Sequence, residues 1–138
     1  VGYDNVKGFL NGGIKTWEAA GEQVDVIVNM SPKEFTESIE KDSVDILDVR
    51  KPSEYFSEHI VNDKVINSSL NELMTEYKNL DKDKEYHVHC AGGYRSVIAI
   101  SVLRKFGFKG AVNVDEGFAG IKECENIQTS EYACPTTM

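Results

Sequence analysis

No stretch of this chain approaches the roughly eighteen consecutive apolar residues of a membrane-spanning helix, so the sequence offers no such span. Basic residues are few: 15 Lys and Arg against 23 Asp and Glu leave a net charge of −8. Nucleic acid is disfavoured as a partner, because phosphate backbones need clustered Lys and Arg. An anionic small substrate stays open where one local site outweighs the global field. Cysteine is scarce too. The three, Cys90, Cys124 and Cys134, are odd in number, widely spaced and without a CxxC pair. That argues against a disulfide framework and a zinc site, and for a reducing, cytoplasmic compartment. Three prolines and no low-complexity tract leave little room for long disordered segments. No leader follows Val1, and the missing initiator Met suggests a piece of a longer protein, with targeting information outside it.

What is present fits one ordinary domain with flanking chain: 138 residues, 41% of them hydrophobic. Val24 to Val28 alternates like a strand. Ser31-Pro32-Lys33-Glu34 offers an N-cap, a proline at the first helical position and a glutamate at the third, which predicts a helix over 32–41. Residues 44–49 read as a buried strand, 54–56 as a short helix and 65–66 as a short strand. Leu70, Leu73, Met74 and Tyr77 share one face of a helix over 70–77. A strand at 85–90, a helix at 96–106, a strand at 111–114 and a helix at 117–124 follow. Strands alternating with helices predict an α/β domain, with a central, mainly parallel sheet flanked by helices on both faces. Its site belongs beyond the carboxyl ends of the strands, where Cys90 and Asp48 fall.

The chain also matches itself. Gly2-Tyr3 aligns with Gly107-Phe108, Phe9 with Val114 and Gly12 with Gly117, at one ungapped offset of 105 residues. An offset of one domain length makes residues 1–22 the tail of a preceding similar module or a linker, 23–125 the domain itself, and 126–138 a C-terminal tail.

The chemistry concentrates at Cys90-Ala91-Gly92-Gly93-Tyr94-Arg95-Ser96, between a strand and a helix. A free thiol ionises near pH 8.5, so a working thiolate needs electropositive surroundings. Gly92 and Gly93 can take positive φ and turn successive N–H groups inward, Arg95 adds a charged fork, and the helix start adds partial positive charge. Such a cradle suits a persulfide on Cys90 or a transferring oxyanion. Tyr94 either lines the mouth or covers the sheet. His87 and His89 share one strand face and read as histidines with ordinary hydrogen bonds rather than metal ligands. Asp48 and Arg50 read as a loop-anchoring ion pair, with a catalytic carboxylate and substrate clamp as the other reading. Nothing around Cys124 or Cys134 marks a reactive thiol.

These residues resemble the rhodanese-like domain. The likeness runs through Asp48-Val49-Arg50, Glu54-Tyr55, His59-Ile60, His89 to Ser96 and Asp115-Glu116-Gly117-Phe118, over roughly residues 24–124. It implies a sulfurtransferase fold with Cys90 as the persulfide-carrying nucleophile and Arg95 as its catalytic partner. Amides from Ala91 through Arg95 would bind the transferred sulfur, so Ala91, Gly92, Gly93, Tyr94 and Ser96 are candidate substrate-binding residues, with Asp48 and Arg50 in support. No metal and no cofactor are expected. The family's phosphatase and arsenate-reductase relatives carry one more residue between Cys and Arg. Here Arg95 is the fifth residue after Cys90, which suits a sulfur atom better.

The chain departs from the family at Ser57-Glu58 and Val61-Asn62-Asp63-Lys64, both in a surface connection. The loop also lacks the extra basic residue of thiosulfate-specialised loops, which makes a low-molecular-weight persulfide an equal candidate donor. Asn11-Gly12-Gly13-Ile14-Lys15-Thr16-Trp17 is similar to the closing segment of another rhodanese module. The loop wording is similar to modules fused behind metallo-β-lactamase-fold hydrolases. The expected partners are a small sulfur donor, a thiol or cyanide acceptor and a fused upstream domain, without nucleic acid or membrane. The competing functions are a cysteine-dependent phosphatase or arsenate reductase and a non-catalytic regulatory module.

Overall fold

The computed structural model describes residues 5–41 and 44–134. In chain order these form α1 (Gly13–Ala19), β1 (Asn29–Met30), α2 (Pro32–Lys41), β2 (Asp45–Asp48), α3 (Pro52–Ser57) and β3 (Val65–Asn67). Then come α4 (Leu70–Glu76), a 3-10 turn at Tyr77–Asn79, β4 (Glu85–His89), α5 (Tyr94–Lys105), β5 (Gly110–Val114) and α6 (Gly117–Ile121). The sheet runs β1-β5-β4-β2-β3, and every pair in it is parallel.

Parallel strands buried on both faces are mostly apolar on both, and the buried exceptions here are Asp48, His87, His89 and Asn113. Leu47, Val49, Tyr86, Val88 and Cys90 point to one side, onto Leu73 of α4 and Ala99, Ile100 and Leu103 of α5. Ile46 and Val114 point to the other, onto Phe35 of α2 and Phe118 and Ile121 of α6. The two-residue side-chain period therefore puts Cys90 on the α5 face and His87 and His89 on the α2 face, against Phe35.

Helix starts follow local chemistry. Ser31 and Glu34 satisfy each other's amides, with Ser31 N donating to Glu34 Oε2 at 2.7 Å and Glu34 N to Ser31 Oγ at 3.2 Å. Ser69 and Glu72 repeat the device ahead of α4.

Several sequence expectations need correction. The strand expected at 24–28 contributes only a two-residue ladder at 29–30; Val26 and Val28 are exposed and only Ile27 packs on the core. The Val26 carbonyl accepts from Arg104 Nη1 at 2.9 Å, and backbone bonding to β5 begins only where Val28 O accepts from Asn113 N at 2.9 Å. α5 begins two residues early, at Tyr94, because Gly93 takes φ +91° at its N-cap. α6 stops at Ile121, where Glu123 N donates to Gly120 O and Cys124 N to Ile121 O in tightened turns. The C-terminal tail is pinned along its described part. Residues 128–133 run antiparallel to 57–61, with Val61 N donating to Gln128 O at 2.8 Å, Ser130 N to His59 O at 2.8 Å and Ser57 Oγ to Ala133 O at 2.6 Å.

Candidate active site

The chain leaves β2 toward β3 on one side and β4 toward β5 on the other. A crevice therefore opens beyond the carboxyl ends of β2 and β4, where this sheet order favours a ligand. Asp48 ends β2, opposite His89, and Cys90 follows directly. The two residues that sequence placed near strand ends are thus brought to the same crevice.

Cys90 is 1% exposed. Burial raises a thiol's pKa, but the Ser96 amide and hydroxyl and the amides of Gly92 and Gly93 outweigh it, holding Cys90 below the ordinary thiol value. Ser96 Oγ lies 3.7 Å from Cys90 Sγ and 2.8 Å from Gly93 O, so one hydroxyl proton serves two acceptors. Of the two loop glycines only Gly93 has positive φ, which corrects the expectation for Gly92. Tyr94 is 80% exposed and covers no part of the sheet.

The loop is braced from α6. Phe118 N donates to Cys90 O at 2.7 Å and Ala119 N to Ala91 O at 3.0 Å. Gly117, at φ +55°, passes so close that a Cβ there would collide with the Cys90 carbonyl.

Arg95 does not stand free. Its Nη1 and Nη2 grip the Glu54 carboxylate at 2.6 and 2.8 Å. The Glu54 hydrogen bond raises the Arg95 pKa against partial burial, and Cys90 contributes in the same direction. Sequence reading did not find this partner in α3. Its local signal, Lys51-Pro52-Ser53-Glu54, marks only a helix start, which Lys51 N confirms by donating to Glu54 Oε2 at 3.1 Å. Lys51 was missed as well. With Val49, Ser69, Leu70, Asn71 and Arg95 it lines a cavity of about 70 Å³. The basic residue absent from the cysteine loop is present on a neighbouring one.

Asp48 and Arg50 form a buried pair, with side chains 1% and 5% exposed. Arg50 Nη2 reaches Asp48 Oδ2 at 2.7 Å, Arg50 Nε lies 3.0 Å from both carboxylate oxygens, and Arg50 N donates to Oδ1 at 3.0 Å. Arg50 also donates to Glu58 O and lies 4.0 Å over the Phe118 ring. Nε and Nη2 of this guanidinium are both held by protein oxygens, as a loop anchor would be. His89 is fully buried between Phe35 and Phe118, and burial pushes its pKa down against the opposing pull of Asp48. His87 lies 3.3 Å from Ser38 Oγ and 3.4 Å from Glu85 Oε1. Among the described residues no three His, Cys, Asp or Glu side chains gather as metal ligands. Cys124 is half-buried, with its sulfur 3.8 Å from Gly120 O, and Cys134 is exposed on the pinned tail.

The chain is thus a parallel α/β domain that sets a cysteine of lowered pKa in the turn between a strand and a helix. The chain belongs to the rhodanese-like domain family, which residues 31–124 match. It is 33% identical over 104 residues to a Bacillus subtilis (strain 168) protein named "Putative sulfur carrier protein YrkF", covering 75% of this chain and 55% of that one. The chain thus spans about half the length of that relative. The fold resembles a rhodanese-related protein from Thermoplasma volcanium, with TM-score 0.65, 31% identity, and 75% and 97% of the two chains covered. It also resembles a rhodanese-like domain protein from Staphylococcus aureus, with TM-score 0.65, 25% identity, and 74% and 97% covered. No helix among the described residues is long and apolar enough to cross a membrane.

Proposed function

We propose that this domain is a sulfurtransferase that moves sulfane sulfur through a persulfide on Cys90. The Cys90 thiolate attacks the outer sulfur of the donor. The new Sγ–S bond replaces the donor's S–S bond, whose electron pair leaves with sulfite from thiosulfate or with a thiolate from a low-molecular-weight persulfide. An acceptor thiolate or cyanide then attacks the terminal sulfur, and Cys90 leaves as thiolate. Atoms and electrons balance within donor and acceptor, so no cofactor enters.

One observation carries the reading: the Ser96 hydroxyl lies 3.7 Å from Cys90 Sγ in a turn whose Gly92, Gly93 and Ser96 amides favour the thiolate over the buried thiol. A phosphoryl or arsenate oxyanion would need the Arg95 fork, and Glu54 occupies both its ends. Similarity to a protein named for sulfur carriage supports the same direction. A reduced thiol as nucleophile fits the cytoplasm as the working compartment. A partner domain fused upstream, a rhodanese-like module or a metallo-β-lactamase-fold hydrolase, would supply or consume the sulfur.

The test is intact mass spectrometry after incubation with thiosulfate or glutathione persulfide. One added sulfur atom on Cys90, absent in a folded Cys90→Ser protein, is expected. No adduct with either donor would sink the proposal. Cys90-dependent turnover of an aryl phosphate or arsenate would replace it with the oxyanion reading, and an ordinary, unreactive thiol would favour a regulatory module.

A further inference from the structure

Residues 5–20 are apolar in the wrong place. α1 buries no residue, and Val6, Phe9, Leu10, Ile14 and Trp17 all stand in solvent. An amphipathic turn-and-helix with its apolar face uncovered lacks the packing that ordinarily stabilises so short a helix.

The same unit occurs again, fully packed, at the end of the domain. Leu10-Asn11-Gly12-Gly13-Ile14-x-x-Trp17 parallels Val114-Asp115-Glu116-Gly117-Phe118-x-x-Ile121. The backbone repeats with it. α1 starts after Gly12 at φ 83°, ψ −2°, followed by Gly13 at φ +58°. α6 starts after Glu116 at φ 59°, ψ −9°, followed by Gly117 at φ +55°. Two successive left-handed residues opening a right-handed helix are costly for L-residues, and the chain does this in both places. This conformational match sets the register one residue shorter than the 105 offset expected from sequence; the Gly2-Tyr3 end of that alignment lies outside the described residues.

In the packed copy Val114, Phe118 and Ile121 are core, at 0%, 6% and 0% exposure, while Leu10, Ile14 and Trp17 stand at 48%, 61% and 43%. Gly117 presses on the Cys90 loop, whereas Gly13 holds the same conformation with nothing near it.

We propose that residues 5–20 are the closing turn and helix of a second module of this fold, upstream in the same polypeptide. Leu10, Ile14 and Trp17 fill its core as Val114, Phe118 and Ile121 fill this one. Gly13 then braces that module's strand-to-helix loop, the counterpart of the Cys90 loop. The proposal concerns assembly and is independent of the sulfur chemistry.

Trp17 is the sole tryptophan of these 138 residues, and with any tryptophan encoded before Val1 replaced by phenylalanine its fluorescence reports its own surroundings in the longer polypeptide too. The polypeptide as its gene encodes it, with all residues before Val1, is compared with the 138-residue chain by acrylamide quenching and amide hydrogen exchange. The longer protein should show Trp17 quenched several-fold less, with slowed exchange over residues 10–18. Gly13→Val should abolish that protection while leaving the alkylation rate of Cys90 unchanged. Equal quenching and exchange in the two proteins would overturn the proposal, as would the lack of an α/β module encoded before Val1. Concentration-dependent shielding of Trp17 in the 138-residue chain would also overturn it, by making a second copy the occupant. The wild-type comparison decides even where the Gly13 variant fails to fold.

Discussion

Glu54 grips Arg95 across 41 positions of sequence, with two hydrogen bonds of 2.6 and 2.8 Å. The Arg95 bond, helped by the Lys51 amide and opposed by partial burial, holds the Glu54 pKa at about 2 instead of 4.5. A carboxyl with a depressed folded pKa adds stability above its unfolded value and loses it as pH falls through the folded one. The pair's contribution is therefore complete above about pH 4.5 and is lost toward pH 2. With the side chains 29% and 34% exposed, solvent screening limits it to about 1 kcal/mol. Glu54→Gln should flatten the dependence of Tm on pH in that window. It should also return Arg95's charge to Cys90 and lower the thiol pKa further, read from alkylation rate against pH. An unmoved alkylation profile would show that Arg95 shares no charge with the sulfur.

Ser96 supplies both an amide and a hydroxyl to Cys90. Ser96→Ala removes only the hydroxyl, so burial, which raises the thiol pKa, gains ground. The thiolate fraction at pH 7 should fall, slowing alkylation and persulfide formation roughly 3- to 10-fold, because one pKa unit is a factor of ten in thiolate. The slowing should vanish at pH 10, where both thiols are ionised. A rate loss that persists there would mean the hydroxyl positions the sulfur rather than stabilising its charge.

Lys51 and Arg95 line the same cavity of about 70 Å³. With Arg95 neutralised by Glu54, Lys51 is the side chain placed to meet an anionic donor. Lys51→Ala should raise KM for thiosulfate about 5-fold at low salt with kcat nearly unchanged, an effect expected to shrink with ionic strength. A fall in kcat at constant KM would move Lys51 out of donor binding.

The buried pair predicts stability rather than rate. Asp48→Asn leaves Arg50 charged and unmatched at 5% exposure, and breaking such a pair costs about 3–5 kcal/mol. Urea unfolding measures this directly. A loss under 1 kcal/mol would show that Glu58 O and the Phe118 ring suffice to hold Arg50.

Local signals were legible and distant ones were not. Ser31-Pro32-x-Glu34 announced α2, since a capping box is written in four consecutive residues. The strand–Cys–Gly–Gly–helix order likewise located the cradle. The Glu54–Arg95 pair joins α3 to α5, and Lys51 reaches the cavity only because β2 lies beside β4. Neither neighbourhood has a periodicity to read. β1 was misread because Val24, Val26 and Val28 alternate like a strand, yet Arg104 takes the Val26 carbonyl that a ladder would have used. The antiparallel strap at 128–133 gave no pattern, because it is held mostly through backbone atoms that any sequence carries.

Gly117 and Gly92 separate the two uses of glycine around the cysteine. At Gly92 the backbone is not left-handed, and a Cβ would meet nothing within 4 Å. Gly92→Ala keeps the amide that serves Cys90 and should change both Tm and transfer rate little. At Gly117 a Cβ would meet the Cys90 carbonyl and the Ala91–Gly92 backbone, at φ +55°. Those atoms cannot swing aside as a side chain can, because Phe118 N and Ala119 N hold the same two carbonyls. Gly117→Ala should therefore cost about 1–3 kcal/mol and move the cysteine loop out of register with its donors. Transfer should fall more than ten-fold at temperatures where the variant is still folded, with the Cys90 pKa rising toward an ordinary thiol. A variant that loses stability alone, with Cys90 still reactive, would show that the α6 brace supports the fold and not the sulfur cradle.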